Sequence, residues 1–126
     1  MMSMTKKELK KELSESWRTK GFQVFGTKCE GCGKPAVHGH HYVPRSKCVG
    51  LKYDLDNFVP LCFHCHFSRI HKGDPVIHRI IILKRGQKWY NRLFNKKETY
   101  SKKSSYETKR FLEDQYNNII NYSFNA

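Results

Sequence analysis

The chain of 126 residues carries 24 lysines and arginines against 11 aspartates and glutamates, a formal charge of +13 and a pI near 9.7. That length holds one ordinary domain rather than two, and a domain this basic points to a polyanionic partner, nucleic acid first. Hydrophobic residues make up only 38%, so the core must be small or stapled. The longest apolar run, Ile80 to Leu83, falls far below the roughly 20 residues of a membrane span. The start, Met1 to Lys7, holds no apolar signal core. A membrane-spanning or secreted protein is thereby excluded and a cytoplasmic one expected.

In chain order, Thr5 followed by Glu8 is a capping-box signature, and Leu9, Leu13 and Trp17 recur at four-residue intervals. This predicts a helix from Lys6 to Arg18 closed near Gly21, an N-terminal element over 6–20 whose apolar stripe packs and whose charged face is solvated. Val37 to Val43 reads as a strand ended by Pro44, and Asn57 to Leu61 as a second, short strand. Residues 45–56 read as a polar loop, and Phe63 to about His71 as a short helix closed by Lys72-Gly73. Asp74-Pro75 opens the next helix well, with Val76, Ile77, Ile80, Ile81 and Leu83 as its apolar face and Gly86 at its end. Trp89, Tyr90, Leu93 and Phe94 mark another short helix, and residues 95–105, rich in Lys, Ser and Thr, read as a linker. Ser104 and Glu107 form a second capping box before a helix bearing Phe111, Leu112, Tyr116, Ile119 and Ile120. The whole, 1–126, is expected to be a single α+β domain, with a helical extension over 74–122.

Four of the five cysteines form two Cys-x-x-Cys knuckles, Cys29/Cys32 and Cys62/Cys65, with 29 residues between them. Thiols stay reduced inside cells, and two such knuckles read as a tetrahedral structural Zn²⁺ site. Redox dithiols or ordinary buried cysteines are the rival readings. Cys48 is left without a role.

A second pattern lies inside this segment: His40-His41, then Asn57 after fifteen intervening residues, then His66 after eight more. His40-His41-Tyr42-Val43-Pro44, Asp56-Asn57-Phe58-Val59-Pro60-Leu61-Cys62 and Cys65-His66 together resemble the HNH (ββα-metal) endonucleases, in their zinc-stapled branch, over residues 29–72. The resemblance implies a zinc-stapled, treble-clef-like ββα core flanked by helices. Leu51-Lys52-Tyr53-Asp54, the Ile77–Leu93 stretch and the last capped helix are further similar to the NinG/Rap recombination nucleases of lambdoid phages, which act on branched DNA.

What the resemblance implies about chemistry is specific. His41 is the general base, His40 and His66 hold a catalytic Mg²⁺ or Mn²⁺, and Asn57 orients the base and ties the loop down. His66 counts with His41 and Asn57 among the catalytic residues. Hydrolysis would leave 5′-phosphate and 3′-hydroxyl ends. An imidazole with an ordinary pKa near 6.5 suits the base. Neighbours on a strand point to opposite faces, so His40 and His41 share a site only if the chain bends or bulges there. His71, five residues after His66, has a poor spacing for one helical face, and His38 shares the strand face of His40. Arg45, Lys47, Lys52, Arg69 and Lys72 are expected to contact DNA backbone phosphates. Nothing reads as a base-recognition code. A paired cut across two strands would suit a homodimer, and a phage-encoded enzyme would work in the host bacterial cytoplasm. The rival classes are a non-catalytic zinc module that binds nucleic acid or protein, which leaves the histidine and asparagine spacings unexplained, and a thiol redox protein.

Overall fold

The computed structural model describes residues 4–101 and 108–124. Helix α1, Lys6–Phe25, opens on the expected capping box: Thr5 Oγ1 accepts from the Glu8 amide and Glu8 Oε1 accepts from the Thr5 amide. It does not close at Gly21. It runs on to Gly26, whose φ of 89° ends the helix in a conformation glycine adopts without strain. Gly21 serves another purpose: a Cβ there would enter the ring of Phe58, and a Cβ at Gly39 would meet the same ring from the strand side. The two glycines let α1 and the sheet close on one phenylalanine.

The sheet is a two-stranded antiparallel hairpin, β1 His38–His41 and β2 Phe58–Leu61, pairing His38 with Leu61, His40 with Val59 and His41 with Phe58. Strand alternation decides everything that follows. One face presents Val59, Leu61, His38 and His40 to a core built from Cys29, Cys62, Cys65, Ile77, Ile81, Trp89 and Leu93. The other presents Phe58 and His41 to a core of Leu9, Leu13, Trp17, Leu112 and Ile119.

The connection between the strands was expected to be a polar loop. Instead Val43, Cys48, Leu51, Tyr53, Leu55 and Asp56 are buried, and two short helical turns, Val49–Leu51 and Leu55–Asn57, fold it inward. Its polar groups are matched rather than solvated. Asp56 accepts from Arg92 at 2.9 Å, Lys96 at 2.8 Å and the Tyr122 hydroxyl at 2.6 Å, while its carbonyl accepts from Trp89 Nε1.

After β2 comes a short helix, His64–Ile70. Helix α2, Pro75–Arg85, is capped as expected by Asp74, which accepts from the Val76 amide, and ends at Gly86. Ile77 and Ile81 are buried, but Val76 and Leu83 are exposed, so its packed face is narrower than expected. Helix α3, Gln87–Ser101, covers the short helix expected around Trp89 and continues through most of the expected linker. Lys96 on that continuation is held by Asp54 and Asp56, and Tyr100 packs over Gly50. The Ser104/Glu107 capping box lies outside the described residues. Helix α4, Lys109–Ile120, is capped by Thr108 and lies against α1. Leu112 and Ile119 are buried, whereas Ile120 is exposed. No described helix is long and apolar enough to cross a membrane.

Two stability measurements check this packing. Gly21→Ala overfills the site facing Phe58 and is expected to cost about 1–3 kcal/mol in thermal or denaturant unfolding. Burial alone would raise the Asp56 carboxyl, but its bonds to Arg92, Lys96 and Tyr122 bring it from 3.8 to about 2. Its contribution is therefore fully present above pH 3.8 and lost as pH falls through about 2. Asp56→Asn should cost roughly 2–4 kcal/mol at neutral pH, and the gap to wild type should shrink on acidification through that window.

Candidate metal centres

The sulfurs of Cys29, Cys32, Cys62 and Cys65 lie within 4.8 Å of one another, with Cys32 and Cys62 at 3.6 Å. Four thiolates at about 2.3 Å from one tetrahedral ion stand roughly 3.8 Å apart, so the cluster is compatible with structural zinc. Backbone amides point at the sulfurs as a thiolate requires: Gly31 N–H donates to Cys29 at 3.3 Å and Cys65 N–H to Cys62 at 3.4 Å. Burial pushes the Cys29 thiol up, but the surrounding amide bonds outweigh it and bring the group down to about 7. Glu30, between the knuckle cysteines, makes a buried two-pronged bond to Arg85 at the end of α2.

A second cluster forms on the β1 face that carries His40. The donor atoms of His40, His66 and His71 lie within 4.8 Å of one another, with ring centroids 4.8 Å apart for His40–His66 and 4.7 Å for His66–His71. His71 belongs here despite its five-residue spacing, because the helix His64–Ile70 is wound wide. The His71 amide donates to the His66 carbonyl at 3.2 Å, an i to i+5 bond that closes one turn in five residues and brings the two imidazoles edge to face on one side. The expectation of a poor spacing assumed ordinary α winding, and the structure corrects it. His38 flanks the group, its ring 4.9 Å from that of His66.

The three imidazoles suit a cation. Burial, then the neighbouring histidines, lower His40 to about 3 and His66 to about 4, so both rings are neutral at neutral pH, as a metal ligand must be. His66 Nδ1 is buried with no hydrogen-bond partner, an orphaned acceptor of the kind an ion satisfies.

His41 lies on the other face of β1, with no bulge to bring the adjacent pair together. Its ring stacks on Trp17 at 4.1 Å and 9°, and its Nε2 is 2.8 Å from the Lys52 carbonyl oxygen. A carbonyl only accepts, so Nε2 carries the proton and Nδ1 keeps the lone pair in the neutral ring. Trp17 is fixed in turn by its indole N–H on the Asp54 carbonyl at 2.9 Å. Asn57, fully buried, clamps the loop: Oδ1 accepts from Val43 N–H at 2.7 Å, and Nδ2 donates to the carbonyls of Val43 and Leu51 at 2.9 and 3.2 Å. It thereby fixes the chain just ahead of the Lys52 carbonyl.

Residues 29–72 match the family model described as HNH endonuclease. The matched HNH segment spans both knuckles, both strands and the wide helix, and the match together with the four-cysteine cluster fits a zinc-bearing HNH family. No curated protein and no solved structure matches the chain. Of the basic residues near the HNH segment, Arg45, Lys47 and Lys72 are exposed, the Lys52 ammonium sits over Tyr53, and Arg69 is bonded to Asp74 at 3.0 Å.

Trp17 and His71 are the residues that the structure adds to the candidate site. Trp17 looked like one more member of a packing stripe, and no local signal ties it to His41. The five-residue gap to His71 was visible but is meaningful only in a wide helix.

Metal titration separates the two clusters. Zinc-loaded wild type is expected to hold about one zinc per chain by metal analysis and to take up a further Mn²⁺ or Co²⁺ by calorimetry. His71→Ala should weaken the second event at least about tenfold and leave the zinc content unchanged, whereas Cys65→Ser should lose the zinc and the cooperative melt.

Proposed function

We propose that this protein is a metal-dependent endonuclease that hydrolyses DNA phosphodiester bonds, with His41 as general base. The observation that carries the reading is the division of β1. One face gathers three imidazoles, and at the end of the other stands a histidine whose tautomer is set by a backbone carbonyl.

His40, His66 and His71 would hold the catalytic ion, and a three-imidazole donor set suits Mn²⁺ or another transition ion better than Mg²⁺. When bound there, the ion supplies charge relief on the phosphoryl and leaving oxygens. The protein's own residues do the rest. His41 Nδ1 takes a proton from water, the oxygen attacks phosphorus, and the bond to the 3′ oxygen breaks, leaving a 5′-phosphate and a 3′-hydroxyl once the 3′ oxygen takes a proton from solvent. The Lys52 carbonyl and the Trp17 face stop the imidazole from turning, and the Lys52 carbonyl favours the imidazolium formed when the proton arrives. Asn57 is a positioning residue that holds both ends of the loop carrying this carbonyl. Arg45, Lys47, Lys52, Arg69 and Lys72 supply cations around the segment for backbone phosphates, and the +13 charge supports a DNA partner. The resemblance to the NinG/Rap nucleases extends the proposal to branched recombination intermediates, in a phage-encoded enzyme acting in the host cytoplasm, with a homodimer for paired cuts.

Plasmid nicking with Mn²⁺, followed by a panel of junctions, forks and linear duplexes, tests the reading. His41→Ala should retain DNA affinity and lose about 10²–10⁴-fold in rate. If it cuts as well as wild type, the base is misassigned; if neither protein cuts any substrate with any divalent ion, the zinc-module reading replaces this one. Burial lowers the His41 pKa, with the Lys52 carbonyl opposing and Arg45 and Lys52 reinforcing. A base works when neutral, so the acid limb of the pH–rate profile should have its midpoint below the ordinary 6.5.

A further inference from the structure

Beside the histidine cluster lies an aromatic surface that neither the zinc cluster nor the hydrolytic site accounts for. Phe63, inside the second knuckle, is 65% exposed, Phe67 on the wide helix is 42% exposed and Val37 is 48% exposed. Phe63 and Phe67 stand 4.8 Å apart, and the ring of His38 lies 6.3 Å from Phe63 and 5.4 Å from Phe67. Scattered exposed apolar residues need no explanation, but a contiguous aromatic group on a rigid frame does. Phe67 also contacts the rings of His66 and His71, at 4.5 and 5.6 Å, so packing explains part of it. Phe63 buries little and follows Cys62 directly, where four converging sulfurs would hold the backbone still.

We infer that Phe63 and Phe67 form a stacking platform for unpaired nucleobases next to the scissile phosphate. The inference rests on the nuclease reading for its location and deepens it by naming the substrate feature. Three observations select this occupant. The protein's +13 charge complements a polyanion. The platform is continuous with the cluster through Phe67, whose ring lies 4.5 Å from that of His66, so a base on Phe67 belongs to a nucleotide close to the bound phosphate. In an intact duplex every base face is already covered by its neighbours. Only a flap, fork, gap or single strand offers a free face, and stacking on phenylalanine tolerates any base, in keeping with the lack of a base-recognition code.

The test uses the zinc-loaded full chain without added divalent ion, so that binding is read without cutting. The probes are a fluorescein-labelled blunt-ended DNA duplex and the same duplex with a six-nucleotide single-stranded tail, compared at about 0.15 M salt, where backbone attraction is damped. Wild type should bind the tailed probe at least about tenfold more tightly. Phe63→Ala/Phe67→Ala should abolish that preference, leave affinity for the blunt duplex within about twofold, and keep the zinc content. Phe63→Trp, which retains a ring, should keep or raise the tail preference, and it guards against a reading confused by misfolding of the double variant. Equal affinity of wild type for both probes overturns the inference, as does an equal loss by the double variant on both, or a wild-type preference that survives without the rings. The two readings fail separately. Cutting without tail preference leaves the nuclease and removes the platform; tail preference lost with the rings, in a protein that never cuts, leaves the platform and removes the nuclease.

Discussion

A single turn, Asp54 to Asn57, holds the rest of the molecule in register. Its backbone carbonyls accept the indole N–H groups of Trp17 from α1 and Trp89 from α3. Its carboxylates take Arg92 and Lys96 from α3 and the Tyr122 hydroxyl beyond α4. Its asparagine closes the loop onto the end of β1. Left unmade, each of these buried groups would cost about 1–3 kcal/mol. The turn therefore acts as a polar core for a chain too lean in apolar residues to rely on hydrophobic burial, and adjacent residues have opposite duties. Asp56 reaches outward to the helices, and Asn57 reaches inward to the loop that positions His41.

The hairpin converts that register into chemistry. Because side chains alternate along a strand, consecutive residues His40 and His41 are delivered to different surroundings without any distortion of β1. His40 enters a pocket of imidazoles beside the thiolate cluster; His41 is laid against an indole. In the proposed mechanism their separation suits the two roles, since a metal ligand needs its lone pair aimed at the ion and a base needs its own left for water. A strand is a stiff way to divide two neighbouring side chains, and stiffness is what a site of this kind requires.

Local chemistry was legible in the sequence, and close approach was not. The two knuckles, the Thr5/Glu8 box and the Asp74-Pro75 start are each set by residues near one another in the chain, and they reappear in the structure; of the His-His, Asn and His pattern, His40 and His66 come together while His41 lies on the other face of β1. Gly21 was misread because its reason lies in β2, where the Phe58 ring needs the missing side chain. The linker expected over 95–105 begins as helix, since Lys96 is ordered by carboxylates forty residues away rather than by apolar periodicity. His71 escaped because the period of a wide helix cannot be told from sequence when α winding is assumed. The inward fold of residues 45–56 was hidden for the same reason as Gly21: the partners that match its polar groups come from α1, α3 and the tail.

Arg85 shows why the HNH segment is built together with its flanking helices. Its guanidinium bonds to Glu30 in the first knuckle and to the Phe58 carbonyl in β2, lies 3.6 Å over the Phe25 ring at the end of α1, and approaches Trp89 of α3 at 5.1 Å. Burying such a pair brings little or no net stability over an apolar substitute of the same shape, but breaking it strands a charge. Its effect is geometric: the fork of the guanidinium accepts one arrangement of knuckle, strand and helix and penalises others. The thiolate knuckle on one face of the hairpin and the helix that supplies Trp17 on the other are thereby set relative to each other. The distance between the imidazole cluster and His41 then follows from the frame and not from either side chain.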